Sequence, residues 1–415
     1  MTPASTPEPV PTEPVPSEPV YAEPAPPADP ASGRTAPGDR PDGPDGPPLV
    51  PGTADELLVR PWAQADVPRV LDLLTTSLAG GPTGERSAAF FGWKHLANPF
   101  GASPGLIAET ADGRLAGVRL FLRWEYTSAG RTVRAVRPVD TATDPGFRGR
   151  GVFRRLTLGL LAEVAADTEL VFNTPNDRSL PGYLAMGWQQ GGRVPIAVRP
   201  VRPAAFARGV RGVLDRRAAP APPSDAGARC PMPTAADWFA ALPGPRGDGE
   251  DVSGEDGGPL AELLRERAEA DARGSRLATR RSPGFLRWRY GDAPGLDYRV
   301  LTVERGGELA GVAFGRPRRR GPLTEFTLAD VLVRPGDRAT AARLLRAAAR
   351  SGCDHVATHL SPGSEAGAVA LRCGYLTAPR TGMTLVTRAP DGGPGPAGDA
   401  GPAAWRFALG DLEVF

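Results

Sequence analysis

Residues 139–165 read "VDTATDPGFRGRGVFRRLTLGLLAEVA", and the reading of this stretch decides the fold. A β-type run ends at Pro145-Gly146, and an arginine- and glycine-rich turn, "RGRGVF", fills 148–153. From Val152 to Ala165 apolar residues recur at helical spacing. Gly149 and Gly151 let the backbone approach a ligand without a Cβ clash. No Ser, Thr, Asp or Asn stands at the helix start, so its first amides lack a local acceptor. Bare amides and the helix dipole favour an anion such as a pyrophosphate, and Arg148, Arg150 and Arg154 add positive charge. The same residues also suit a solvated basic helix start. The Lys-Ser/Thr of a Walker loop is missing, and G-x-G-x-x-G does not occur.

Upstream, Leu57, Leu58 and Val59 read as a strand, and Val67, Val70, Leu71 and Leu74 as one face of a helix. Asp112-Gly113 marks a hairpin, and Val133–Thr143 is the strand that leads into the turn. Downstream, "ELVFNTP" reads as a buried strand and "NDRSLPGYLAMGW", residues 176–188, opens another helix. This order of elements then recurs. Trp93, Gly117, Pro145 and Gly187-Trp188 are echoed in sequence by Trp288, Gly311, Pro335 and Gly374-Tyr375 at nearly constant spacing. Two copies of one α/β unit are expected.

The boundaries follow from composition. The first 50 residues hold 16 prolines, which remove donors and fix φ, so 1–52 is expected to be a disordered tail. The first unit spans 53–200, a linker or insertion 201–258, the second unit 259–388, and a flexible spacer and tail 389–415. Forty-nine basic against 47 acidic residues give no argument for a nucleic-acid or polybasic membrane partner. The scattered Cys230, Cys353 and Cys373 form no zinc spacing, so no metal is expected. No apolar run suits a membrane helix, and the chain is expected to be cytoplasmic. The sequence is silent on oligomeric state.

"NDRSLPGYLAMGW" has the spacing N-x-x-S-x-x-x-Y-x-x-x-G-W, and together with R-x-x-G at Arg148–Gly151 it resembles the GNAT superfamily of acyl-CoA N-acyltransferases. Phe153 departs from the small residue usual in that motif, as do Ser179 from Ala and Trp188 from Phe. The resemblance implies an α/β fold of two tandem GNAT-like domains, each a mixed, mostly antiparallel sheet flanked by helices. It implies that Val139, Thr141, Ala142 and Thr143 pair with the pantetheine arm of acetyl-CoA. The amides of Gly149, Arg150, Gly151, Val152 and Phe153, beside Arg148, would hold the pyrophosphate. Asn176 and Ser179 would meet the pantetheine or acyl carbonyl, and Tyr183 would protonate the leaving thiolate.

An amine would attack the thioester directly, so a base is required. Asp140 and Asp144 are candidates, and Asp140 equally suits a hydrogen-bonded structural carboxylate. The double repeat also resembles the enhanced-intracellular-survival class without its third domain. That likeness implies a role for the Phe415 carboxylate or for Asp411 at the acetyl site. Trp93, His95 and Phe100 are expected either as core or as the wall of an acceptor pocket. The second copy has Ala341, Gly363 and Ala370 where the first has Gly151, Asn176 and Tyr183, so it is not expected to bind acyl-CoA. The expected activity is transfer of an acetyl group to a primary amine of a small acceptor, such as an amino sugar. A Fem-type aminoacyltransferase and a non-catalytic acyl-CoA sensor are the alternatives.

Overall fold

The computed structural model describes residues 57–77, 87–214, 230–242, 258–378, 381–393 and 398–412. The expected proline-rich tail lies outside them. In chain order the strands are β1 (Leu58–Pro61), β2 (Gly105–Glu109), β3 (Leu115–Ser128), β4 (Arg131–Thr143), β5 (Leu170–Asn173), β6 (Gln189–Val194) and β7 (Ala197–Pro200). There follow β8 (Leu277–Thr279), β9 (Arg299–Arg305), β10 (Glu308–Arg320), β11 (Leu323–Val333), β12 (His355–Thr358), β13 (Leu376–Thr377), β14 (Met383–Arg388) and β15 (Trp405–Arg406). The helices of the first half are α1 (Val67–Ser77), α2 (Ala88–His95), α3 (Val152–Val164), α4 (Leu180–Ala185) and α5 (Pro203–Leu214). Those of the second are α6 (Ala235–Ala241), α7 (Pro259–Ala272), α8 (Pro283–Leu286), α9 (Arg338–Ala348), α10 (Glu365–Val369) and α11 (Leu409–Leu412).

Two mostly antiparallel sheets result, each flanked by helices. One runs β1-β2-β3-β4-β5-β14-β6, with β8 and β15 added at the outer end of β3; the other runs β13-β7-β12-β11-β10-β9. The orders show an exchange. β14, from late in the chain, lies between β5 and β6, while β7, which directly follows β6, lies between β12 and β13. A cut into 53–200 and 259–388 is therefore crossed by a strand in each direction.

The apolar residues between the sheets form one core that draws on both halves, including Trp93, Trp124, Tyr126, Phe285, Trp288 and Trp405. Trp93 and Trp288, the two echoed tryptophans, stack with centroids 5.3 Å apart. Each donates its indole N–H to the other's backbone carbonyl, at 2.6 and 2.8 Å. A buried indole N–H needs a partner, and the reciprocal pair satisfies both at once. Smaller cores lie under α3 and α4, under α1 and α2, and under α9 and α10.

Two expected connecting stretches are more structured than composition suggested. Within 201–258, α6 follows a bridge from Thr234 to Arg299, and its Phe239 enters the central core. Within 389–415, Trp405, Phe407, Leu409 and Leu412 are buried. Apolar side chains at 405, 407, 409 and 412 outweigh the glycine- and proline-rich context around them. Among the described residues no helix is long and apolar enough to cross a membrane.

Candidate active site

The site begins at a fault in β4. Val118 pairs with Ala142 and Leu120 with Val139, so Asp140 and Thr141 together face Arg119 alone. Asp140 takes φ +39°, an uncommon backbone for an aspartate. The bulge sends the two side chains to different layers. Thr141 meets Arg119, and Asp140 meets α2. On its other edge β4 pairs with β5 only at Ala135 and Val136. Val139–Thr143 therefore lie beyond the last β4–β5 pair, at a gap in that ladder.

The gap leads to the glycine-arginine turn. Asp144 caps it, accepting from the Gly146 amide at 2.8 Å and pairing with Arg114 at 2.9 Å, which commits this candidate base to structure. Gly149 and Gly151 take φ +75° and +79°, and open space surrounds the Cβ position of each. Backbone conformation, rather than room, demands glycine at both. Gly151 caps α3 and offers no side-chain acceptor. Arg148 is exposed and Arg150 lies over the Phe147 ring, 5.4 Å from its centroid. The N-terminus of a 13-residue helix thus faces the gap with its amides uncapped.

Phe153 does not obstruct this end. Its ring turns away toward α4, 3.3 Å from where a Cβ on Gly182 would lie, and packs edge-on against Tyr183 with centroids 5.8 Å apart. Tyr183 is buried against Phe153 and Trp188. Its phenol oxygen accepts from Arg119 Nη2 at 2.9 Å, and Arg119 Nη1 donates to Thr141 Oγ1. Asn176 and Ser179 bond each other: Asn176 Oδ1 accepts from the Ser179 amide and hydroxyl, both at 3.0 Å. The amide oxygen of Asn176 is thereby spent on starting α4.

The residues expected to wall an acceptor pocket are core. Trp93 is committed to Trp288, and Phe100 stacks on Phe285 at 5.1 Å. His95 is 0% exposed, with Nδ1 2.9 Å from Ser103 Oγ and Nε2 2.8 Å from Asp140 Oδ2. Burial pushes the His95 imidazole below its ordinary value, although Asp140 acts the other way. Lys94, the single lysine of the chain, reaches the same Asp140 oxygen at 2.5 Å. A carboxylate held by an ammonium and an imidazole is charge-compensated, and these contacts tie Asp140 of the bulge to α2.

The end of the chain docks on the opposite side of the gap. Asp411 is 2% exposed, pairs with Arg281 at 3.0 Å and caps the Ala408 amide at 2.7 Å. Its carboxylate is structural, but its carbonyl accepts from Arg137 Nη1 of β4 at 3.0 Å. Arg137 also donates to Thr174, just past β5, at 2.8 Å. Phe415 lies outside the described residues. Arg119, Arg137, Lys94 and Ser103 escaped the sequence reading, because each acquires its meaning from a partner on a distant strand. The three cysteines are buried and unpaired, and no metal-binding group of His, Cys, Asp or Glu occurs among the described residues.

Comparison with known proteins agrees with this geometry. No curated protein matches the chain by sequence. Among solved structures, a GCN5-related N-acetyltransferase from Anabaena variabilis superposes with a TM-score of 0.52 at 13% identity, covering 80% of this chain and 73% of that one. A GCN5-related N-acetyltransferase from Kribbella flavida gives 0.50 at 14% identity, with 81% and 72% covered. A conserved protein of unknown function from Enterococcus faecalis, described as a probable N-acyltransferase, gives 0.50 at 13%, with 80% and 72% covered. At such identities the likeness concerns the fold. Residues 58–191 match the family described as "Acetyltransferase (GNAT) domain", which spans the bulged strand, the uncapped helix and Tyr183. The stretch 58–191 is thus similar to a GNAT acetyltransferase domain, and the solved structures share the fold.

Proposed function

We propose that this domain transfers the acetyl group of acetyl-CoA to a primary amine of a small acceptor, an amino sugar or a related metabolite. The observation that carries the reading is the uncapped N-terminus of α3, set at the end of an unpaired strand edge and beside a buried tyrosine. The residues present fit an acyl-CoA. Amides at 149–153 with Arg148 and Arg150 suit its pyrophosphate, and the free edge at Val139–Thr143 suits an extended amide-bearing arm. The donor supplies an activated thioester carbonyl. The chain's own groups orient the reactants, exclude water and deliver a proton from Tyr183 Oη to the departing sulfur. Asp140 and Asp411 hold the bulge and the docked terminus in this scheme.

Calorimetry with acetyl-CoA, followed by a thiol-release screen over a panel of amines, tests the reading. One acetyl-CoA per chain and turnover with at least one amine are expected. Tyr183→Phe should keep acetyl-CoA affinity and lose about 100-fold in kcat. Absence of acetyl-CoA binding overturns the assignment, and binding without any turnover leaves a sensor.

A further inference from the structure

Arg119 is 1% exposed, yet no carboxylate pairs with it among the described residues. Two buried arginines of the second half differ. Arg267 meets Glu365 at 2.8 Å, and Arg281 meets Asp330 at 2.8 Å and Asp411 at 3.0 Å. Arg119 has instead two hydroxyls, of Tyr183 and Thr141, and the faces of three aromatic rings. Its Cζ lies 5.3, 5.2 and 5.4 Å from the centroids of Phe121, Phe153 and Tyr183. Its Nε is buried without an acceptor. Burying a cation without a counter-ion is costly, and rings and hydroxyls offset only part of that cost. Such a charge makes physical sense where negative charge appears transiently.

We propose that Arg119 is the positioning residue of the acyl-transfer step, acting through the Tyr183 hydroxyl; this rests on the reading of the site given above. Arg119 Nη2 occupies a lone pair of the phenol oxygen, which leaves the single phenol proton for another acceptor. Arg119 Nη1 ties the same guanidinium to the unpaired edge of β4, so phenol and strand edge are held in one frame. In the step, the new C–N bond forms and the C–S bond breaks with its electron pair on sulfur. Sulfur takes the Tyr183 proton. The phenolate left behind lies against the guanidinium and regains, through water, the proton shed by the amine nitrogen, which becomes cationic as its C–N bond forms. The bulge of β4 explains why Arg119 can do this, since it turns Thr141 toward Arg119 and Asp140 away.

A double-mutant cycle tests the proposal. Arg119→Met should lower kcat about 100-fold and change KM for acetyl-CoA less than about threefold, while Arg119→Lys, which keeps the charge but not the fork, should lose about tenfold. In a Tyr183→Phe background, Arg119→Met should cost less than about threefold more, because the hydroxyl it acts through is gone. A purely structural arginine would give multiplying losses or a raised KM, and either result overturns the proposal. Should Arg119→Met not fold, the Lys variant carries the same cycle. A second readout needs no turnover. Wild type should prefer CoA over its desulfo analogue at alkaline pH, and Arg119→Met should abolish the preference; an unchanged preference counts against Arg119. Wild-type turnover with a multiplying cycle rejects Arg119 alone, whereas a wild type that never binds acetyl-CoA overturns both readings.

Discussion

Two helices hold the same place in the two halves and begin in opposite ways. α3 starts at Gly151, with a left-handed backbone and no capping side chain. α9 starts at Asp337, whose carboxylate accepts from the Thr340 amide at 2.9 Å and from its hydroxyl at 2.7 Å. A helix N-terminus attracts negative charge, and that charge comes either from its own cap or from a ligand. The second half has taken the first option. Its equivalent strand ends are met by residues from late in the chain. β11 and β12 pair only as far as Thr327 and Ala357, and beyond them the chain's end enters. Ala408 bridges Leu360, and Ser361 Oγ donates to the Phe407 carbonyl at 2.9 Å. One helix start lacks a side-chain cap, and the other carries its own.

Cutting the chain is the most severe test of this contrast. Residues 53–200 alone lack β14, which joins β5 to β6, and 259–388 alone lacks β7. Neither piece should show a cooperative thermal transition by circular dichroism, while co-expression should restore one. A soluble, cooperatively folding first piece would mean that the halves are independent. The next test makes α3 resemble α9. Gly151→Asp should place a carboxylate on the amides and weaken acetyl-CoA binding by about 100-fold or more in calorimetry. Melting should change little, since the new cap offsets the left-handed backbone. The reverse change is milder. Asp337→Ala should cost about 1 kcal/mol in denaturant unfolding. Binding should stay at one acetyl-CoA per chain, because Phe407 and Ala408 still bond the 360–361 segment. A second site appearing in this variant would show that the cap alone separates the two halves.

The smallest effect comes from histidines, one in each half. Burial lowers both His95 and His359 from an ordinary value of 6.5. The unfolded chain then binds more protons than the native one as pH falls through that value. Stability is complete above about pH 7 and declines below pH 6.5. His95→Gln should flatten part of that decline in urea melts at successive pH values. An equal slope in the variant would place the effect elsewhere.

What the sequence disclosed was local. The turn at Arg148–Phe153, the Asp112-Gly113 hairpin and the helix at Leu180 each depend on residues within a few positions, and all lie where composition and spacing put them. The Trp93–Trp288 echo was visible as a repeat, but its meaning as a reciprocal hydrogen-bonded pair was not. Trp93, His95 and Phe100 read first as core and second as pocket wall, and the neighbouring half, with Trp288 and Phe285, supplies the packing partners of Trp93 and Phe100. Asp140 read as either a base or a structural carboxylate, because its partners Lys94 and His95 are sequence-distant. The strand exchange left no signature at all. β7 and β14 are short apolar strands that fit either sheet, and strand partners are chosen by what the rest of the chain supplies.

That exchange has a consequence for how the protein is made. The guanidinium of Arg388 bonds the carbonyl of Met186, 202 residues earlier, at the end of the tyrosine helix. A ribosome adds about 5–20 residues per second, so the emerging first half waits roughly 10–40 s for the strand that completes it. Through that interval β5 exposes an unpaired edge, an open invitation to other nascent chains. The half that carries the candidate site is therefore the first to be synthesised and among the last to mature.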